Sequence, residues 1–428
     1  MREEEIRKLK QLDREAIWHP FTAMQGWMED NPLIIERAEG CRLFDLEGRS
    51  YLDGVSSLWV NLHGHRRAEI DAAICSQLEQ LAHSTLLGLG NVPAGRLAEK
   101  LLGLAPPNLK RVFYSDSGST AVEIALKMAF QYWQQQGGEA KRKTKFLSLK
   151  NAYHGDTLGS VSVGGIDLYH RIFHPLLFHT LSVENFDLGR AERFFAEHRG
   201  EIAAVVVEPM IQAAAGMILQ PPGFLRGLRQ LCDRHDAFLI CDEVATGFGR
   251  TGKMFAVEHE AVEPDFLCLA KGISGGYLPL AATLTTSRVF AGFCGAYGDF
   301  KAFFHGHSYT GNPLACAAAL ASLEIFEQDG VIEGLAPKIA ALNRELARFA
   351  AHPQVREVRQ LGLMAGVELR SQELKLGARI CRAARRHGAL LRPLGNVLVV
   401  LPPLAISESE LQELCGALFM ALEEITSI

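Results

Sequence analysis

Long apolar runs, clustered cysteines, an excess of charge and low-complexity stretches are all missing from this chain of 428 residues. A bilayer span takes about 20 consecutive apolar residues, and no run in the sequence approaches that. Lys and Arg number 44 against 49 Asp and Glu, a net charge of −5. Such a balance leaves no electrostatic footprint for nucleic acid or for an anionic membrane surface. The nine cysteines never approach closer than nine residues, so no CxxC or zinc-type spacing exists. Cys241, Cys268 and Cys316 sit in apolar segments, where a reduced Cys behaves as a small hydrophobe. No GxGxxG opens a βα turn, which counts against a dinucleotide-dependent dehydrogenase. The N-terminal stretch MREEEIRKLKQLDREAIW is charged and lacks the apolar centre of a signal peptide. The expectation is a cytoplasmic protein whose cysteines stay reduced.

What is present is an average globular composition, 48% apolar and 22% charged, which excludes disorder for most of the chain. At roughly 100–200 residues per domain, the length fits a large domain with a smaller one attached. The middle of the chain alternates strand-like and helix-like segments. RVFYSDSG, KFLSLK, AAVVVEP, AFLICDE and DFLCLAKG read as strands. They are continuous apolar runs, as in strands buried on both faces. AVEIALKMAFQYW and GFLRGLRQLCDRHD read as helices between them. In the first, Glu123, Lys127 and Gln131 recur every four residues and leave a wide apolar face. The pattern predicts an α/β fold, a mainly parallel sheet with helices on both sides. RLFDLEG and SYLDG near the N-terminus carry short strand signals. NPLACAAALASLEIFEQDG then reads as a long helix. Beyond it come a strand at LMAGVEL, a helix at KLGARICRAARRHG and a strand–turn–strand around Gly395-Asn396. A final amphipathic helix starts near Ser407. Residues 61–320 are expected to form the large domain, and 1–60 with 321–428 a smaller α+β domain.

Four local sequences carry chemistry. Lys271 ends the run FLCLA and precedes a Gly-rich turn. Desolvation at a sheet edge would lower its pKa and free a nucleophilic amine, although a surface lysine at a strand end reads the same way. Asp242 ends the strand AFLIC. Ligands of open α/β sheets bind at the carboxyl ends of strands. A lysine and a carboxylate on two such ends form the pair that pyridoxal phosphate needs, one for the Schiff base and one for the pyridinium nitrogen. A structural Asp capping a loop is the simpler alternative. Gly118 and Ser119, in SDSGST, stand at the start of a helix, where free backbone N–H groups suit a phosphate. A plain N-cap would look similar. Tyr153, in YHGD, offers an aromatic face to a cofactor ring, or simply a core tyrosine.

The stretch Asp242-Glu243-Val244-Ala245-Thr246-Gly247-Phe248-Gly249-Arg250-Thr251-Gly252, together with Lys271, resembles the signature of the class III pyridoxal-phosphate aminotransferases. SDSG and YHGDT fit that family in the expected order, and the resemblance covers nearly the whole chain. It implies the fold type I architecture, pyridoxal 5'-phosphate as cofactor, and a homodimer with active sites at the subunit interface. It implies that Lys271 is the Schiff-base lysine, that Asp242 pairs with the pyridine nitrogen, and that Tyr153 stacks on the ring. It gives Gly118 and Ser119 to the phosphate, with Ser308 and His307 reaching the partner subunit's cofactor.

Further segments narrow the resemblance to one branch. They are WHPFT at 18–22, SSLW at 56–59 before HGH, HGHSYTGN at 305–312 and LRPLGN at 391–396. That branch aminates 8-amino-7-oxononanoate in biotin synthesis. By the same resemblance Trp59, Tyr153, Gly306 and Arg392 line the substrate pocket, and Arg392 suits a carboxylate. Phe21, Asp156 and Arg250 join them as parts of the same site. S-adenosylmethionine is the usual amino donor of the branch. Phe21, Leu58 and Val399 stand where its users carry Tyr, Trp and Tyr, as they do in the members that use L-lysine, so lysine is the second candidate. Another class III ω-aminotransferase, acting on ornithine or 4-aminobutyrate, is the nearest rival. A non-catalytic protein on the same fold is a more distant one, opposed by the retained Lys271 and Asp242. The pairs His63/His65 and His305/His307 lack a third ligand at useful spacing, so no metal is expected.

Overall fold

The computed structural model describes residues 2–427. Its centre is a seven-stranded sheet. In chain order the strands are β1 (Leu109–Ser115), β2 (Lys145–Leu149), β3 (Thr180–Val183), β4 (Ile202–Val207), β5 (Phe238–Asp242), β6 (Phe266–Leu269) and β7 (Ala281–Thr286). Their spatial order is β1-β7-β6-β5-β4-β2-β3. Strand β7 runs antiparallel to both of its neighbours, while the β6-β5-β4-β2-β3 pairings are parallel. The expected α/β architecture is the one found. Strands β7 and β3 were not anticipated. AATLTT is rich in threonine and lacks a long apolar run, and TLSV is a four-residue edge strand.

The apolar strand runs are explained by two-sided burial. Ala204, Val206, Phe238, Ile240, Phe266 and Cys268 face helix α1 (Gly118–Gln136) through Val122, Ala125, Ala129 and Trp133. The alternate residues Val205, Val207, Leu239, Cys241, Leu267 and Leu269 belong to the opposite core, with Leu225, Leu228 and Leu231 of the helix Phe224–Arg234. Period-two alternation therefore feeds two apolar layers instead of one core and one solvent face. Among the described residues, no helix is long and apolar enough to cross a membrane.

The two ends of the chain share one sheet. Arg42–Asp45 and Ser50–Asp53 pair antiparallel, and Ser50–Asp53 then takes Ala389–Leu390 as a parallel neighbour. A second antiparallel sheet holds Val355–Leu361, Met364–Leu369, Val397–Val400 and Pro393–Leu394. Its tight turn falls at Gly395-Asn396, with Gly395 at φ +57°. The long helix anticipated from NPLACAAAL spans Pro313–Gln328, capped by Asn312. The last helix, Glu408–Thr426, starts with a reciprocal capping box between Ser407 and Glu410. Such a cap satisfies two otherwise orphaned backbone donors. Ser407→Ala is expected to lower stability by about 1 kcal/mol. Ser407→Asp should restore most of the loss, both read as shifts of the thermal midpoint.

Candidate active site

The carboxyl ends of β4, β5 and β6 converge with the start of α1 and the loop after β2 on one cavity of about 490 Å³. Gly118, Ser119, Tyr153, Asp156, Asp242 and Lys271 line it together. A smaller, apolar cavity of about 130 Å³ continues from Lys271 past Trp59 and Tyr153 to Phe21 and Arg392.

Asp242 is the last residue of β5, and its backbone pairs with Cys268 of β6. Its side chain is buried and held on both oxygens. Oδ1 accepts the Val244 N–H at 3.0 Å, and Oδ2 lies 2.7 Å from His154 Nδ1. A carboxylate has about four acceptor sites, so this arrangement leaves capacity for a donor from the cavity. The far nitrogen of His154, Nε2, is buried without a partner.

Lys271 lies two residues beyond the end of β6 and has φ +45°. A non-glycine residue in the left-handed region costs of order 1 kcal/mol or more, and such strain concentrates at functional sites. The next turn needs its glycines. A Cβ on Gly276, at φ +90°, would fall 2.9 Å from the Asn61 backbone. Burial lowers the pKa of Lys271, with Asp242 and then Glu208 opposing the shift. The Nζ atom lies 4.9 Å from the Trp59 ring centre. A depressed pKa makes a neutral, nucleophilic amine available at moderate pH.

Trp59 arrives there on a left-handed turn. Ser56, Ser57, Leu58 and Trp59 have φ of 49°, 48°, 71° and 71°. Each such residue costs roughly 1–2 kcal/mol, and the surroundings hold the turn in place. Ser56 Oγ donates to Leu401 O at 2.7 Å, Ser57 N–H to Asp53 Oδ1 at 2.9 Å, and Ser57 Oγ to Asp53 Oδ2 at 2.7 Å.

At the other end of the cavity, Ser117 caps α1 and leaves the N–H groups of Gly118 and Ser119 at its open end. Two glycines let neighbouring segments pack closely here. A Cβ on Gly118 would sit 2.4 Å from Val244 Cγ1, and one on Gly155, at φ +113°, would sit 2.4 Å from the Ser119 side chain. Ser119 Oγ accepts the Thr157 N–H at 2.9 Å, which ties the YHGDT loop to the helix start. Helix dipole and free N–H groups together favour a phosphate here. Tyr153 Oη donates to Asp156 Oδ2 at 2.8 Å, and its N–H donates to Glu208 Oε1 at 3.0 Å. The Tyr153 ring stacks against His170, centre to centre 6.2 Å.

Other anticipated residues lie elsewhere. Arg250 is fully buried, with Nη1 donating to Pro402 O at 2.7 Å and Nη2 to Asn61 O at 2.8 Å. It lines neither cavity and ties the loop after β5 to the C-terminal segment. Gly306 and Ser308 are exposed, and His307 sits 3.9 Å from Asp116. Within one chain these three do not reach the Lys271 cavity. The histidine pairs also separate: His63 Nε2 contacts Ser322 and His65 Nε2 contacts Asp53. No cluster of metal-ligating side chains is found among the described residues.

Three features went unread in the sequence. Glu208 follows β4 as Asp242 ends β5, so the strand-end rule that singled out Asp242 applies to it equally. It accepts the Tyr153 and Ala213 N–H groups at 3.0 and 3.1 Å. His154 stands beside Tyr153 in the YHGD motif. Tyr169, edge-on to Phe21 at 5.6 Å, comes from a segment with no motif at all.

The chain belongs to the class III aminotransferases, whose family model matches residues 24–422. It is 52% identical to the adenosylmethionine-8-amino-7-oxononanoate aminotransferase of Nitratidesulfovibrio vulgaris, over 98% of this chain and 82% of the relative. The enzyme of that name from Geobacter sulfurreducens is 49% identical, over 98% of both chains. The crystal structure of the Methanocaldococcus jannaschii enzyme of that name superposes with a TM-score of 0.95 at 46% identity, covering 98% of this chain and 99% of the other. A PLP-bound amine transaminase from an uncultivated Pseudomonas species superposes with a TM-score of 0.90 at 38% identity, over 96% and 99% of the two chains. The protein is therefore a pyridoxal-phosphate-dependent aminotransferase of fold type I. The cavity fits that cofactor: the helix start at Gly118 and Ser119 suits its phosphate, Asp242 has spare acceptor capacity, and Lys271 supplies an amine.

Burial pushes Glu208 from 4.5 up to about 7. A carboxyl raised in this way favours the folded chain while protonated. That contribution is full below about 4.5 and is lost as pH rises through about 7. Glu208→Gln removes the titration and one backbone hydrogen bond. In cofactor-free protein, the midpoint of the variant minus that of wild type is expected to rise from about pH 5 to about pH 8. A flat or falling difference in thermal denaturation would deny Glu208 this shift.

Proposed function

We propose that this aminotransferase converts 8-amino-7-oxononanoate to 7,8-diaminononanoate in biotin synthesis. The observation that carries the reading is the apolar cavity between Lys271 and Arg392. The acceptor has a ketone near one end, a carboxylate at the other and hydrocarbon between. Trp59, Leu394 and Val399 offer apolar wall for the hydrocarbon, and the Arg392 guanidinium suits the carboxylate. The near-full-length identity to enzymes named for this keto acid supports the same assignment.

When bound, pyridoxal phosphate supplies an electron sink for the carbanion formed at the substrate α-carbon. Asp242 would accept the ring N–H, with its carboxylate fixed by His154. Gly118 and Ser119 would offer backbone N–H groups to the phosphate, and Tyr153 would offer its ring to one face of the cofactor. Lys271 would hold the cofactor through its amine, and that amine would serve as the base for the substrate α-proton. Asp156 orients Tyr153 through their hydrogen bond, and Arg250 steadies the pocket from below. In a homodimer, Ser308 and His307 of one subunit serve the phosphate held by the other, and Gly306 completes its substrate wall. Residues 61–320 act as the cofactor-binding domain, with 1–60 and 321–428 closing over substrate.

The donor is S-adenosylmethionine, the compound in the relatives' names. L-lysine is the second reading, favoured by one observation: Phe21, Leu58 and Val399 line the cavity without a single hydroxyl. A bulky sulfonium–adenosine ligand gains about 1 kcal/mol from each stacking or hydroxyl contact; these positions supply no hydroxyl, and Phe21 is the one aromatic ring among them.

Lys271→Ala is expected to abolish turnover and the visible absorbance of the lysine-bound cofactor. Turnover at the wild-type rate would remove Lys271 from its role. Mixing the loaded enzyme with one donor at a time, and following pyridoxamine phosphate in a single turnover, separates the two donors. Conversion by adenosylmethionine and none by lysine is the expected outcome, and the reverse assigns lysine.

A further inference from the structure

Away from the active site, a cavity of about 430 Å³ opens between the strand Ser50–Asp53 and the end of the helix Leu376–Ala384. Four arginines line it, Arg49, Arg382, Arg385 and Arg386, against a single carboxylate, Asp30. Three of the four are satisfied. Arg382 pairs with Asp30 at 2.6 Å, Arg386 with Glu424, and Arg49 with Asp45 at 2.7 Å. Arg385 is the exception. It is half-buried, its Nε is buried without a hydrogen-bond partner, and no described carboxylate lies within ion-pair distance. Burial, then the charge of Arg382, pulls its pKa below the usual arginine range. Ser50 Oγ, on the facing strand, is also buried and unpartnered.

A guanidinium stays charged, carries five donors and is costly to bury alone. Here Arg385 and Ser50, from two elements, line a space far larger than one water, whose share of liquid volume is about 30 Å³. Their natural complement is an anion with acceptor oxygens on several sides. A phosphate has that shape, whereas a carboxylate presents two oxygens in one plane.

We propose that this cavity is a second anion site, which takes a phosphate group, free or carried by a small metabolite, on Arg385 and Ser50. It is separate from the cofactor cradle and lies on the two paired strands that lead, through Asp53 and Leu390, toward Trp59 and Arg392.

The test is calorimetric titration of the pyridoxal-phosphate-loaded enzyme, whose cofactor cradle is already filled, at constant ionic strength. Inorganic phosphate and glycerol phosphate are the probes, with acetate as the comparison. One saturable site per chain is expected for the phosphates, with acetate at least about tenfold weaker. Tighter binding of glycerol phosphate assigns the metabolite source, and equal binding the free ion. Arg385→Gln should weaken phosphate at least about tenfold. It should leave the thermal midpoint of the phosphate-free enzyme unchanged or higher, because an unpaired charge has been removed. Arg385→Lys, which keeps the charge and loses the fork, should bind with intermediate strength. The proposal is overturned by any of four results: no saturable binding to wild type, acetate binding as tightly, unchanged binding to Arg385→Gln, or loss of binding in Arg392→Ala.

Discussion

Everything at the centre of this molecule depends on placing an amine and a carboxylate at the ends of two adjacent, fully buried strands. Leu267 and Leu269 of β6 and Leu239 and Cys241 of β5 exclude water up to the last residue of each strand. The desolvation that lowers the Lys271 pKa is a direct product of that packing. The same dryness would make a lone Asp242 expensive. The bonds from His154 and from the Val244 N–H answer that cost and fix which way the carboxylate points. Apolar strands and reactive ends are thus one design: the first creates the conditions in which the second has useful chemistry.

Strain is the second recurring element, and it gathers around the same cavity. Lys271 and the run Ser56–Trp59 adopt left-handed backbone without glycine. These conformations persist because hydrogen bonds from distant parts of the chain over-determine them. Asp53 clamps Ser57, Leu401 O receives Ser56, and Arg250 bonds Asn61 and Pro402 across the same junction. The N-terminal strands, the loop after β5 and the C-terminal segment meet where Trp59 overlooks the lysine. Arg250 shows how a motif residue can serve a site without touching its cavity.

Arg392 and Phe21 line that cavity, while the unpaired Arg385 lines a separate one beside the strand Ser50–Asp53. The two regions differ in kind. Around Lys271, the polar groups find partners within the chain, Asp242 with His154 and the Val244 N–H. Around Arg385, four arginines face one carboxylate, and Arg385 makes no ion pair among the described residues.

Much of this was legible in the residues. Continuous apolar runs foretold β4, β5 and β6, because a strand buried on both faces has no room for polar alternation; β1 and β2 were read as strands as well, although β1 exposes Lys110 and Arg111. Lys271, Asp242, Gly118 and Tyr153 stood out because each lies at a strand end or helix start, where local sequence dictates local geometry. AATLTT escaped notice because a threonine-rich stretch becomes a central strand only through its neighbours. Glu208 and His154 were passed over because their roles come from partners 55 and 88 residues away. The left-handed turn at Ser56–Trp59 has no signal in SSLW, since those residues do not favour it and only contacts from Asp53 and Leu401 impose it. The sequence by itself determined the buried sheet and the chemistry at its edges, because apolar period and chain direction are local properties. Only the tertiary structure decided which side chains face one another across the cavity and which charge is left unpaired, because those are set by packing between segments far apart in the chain.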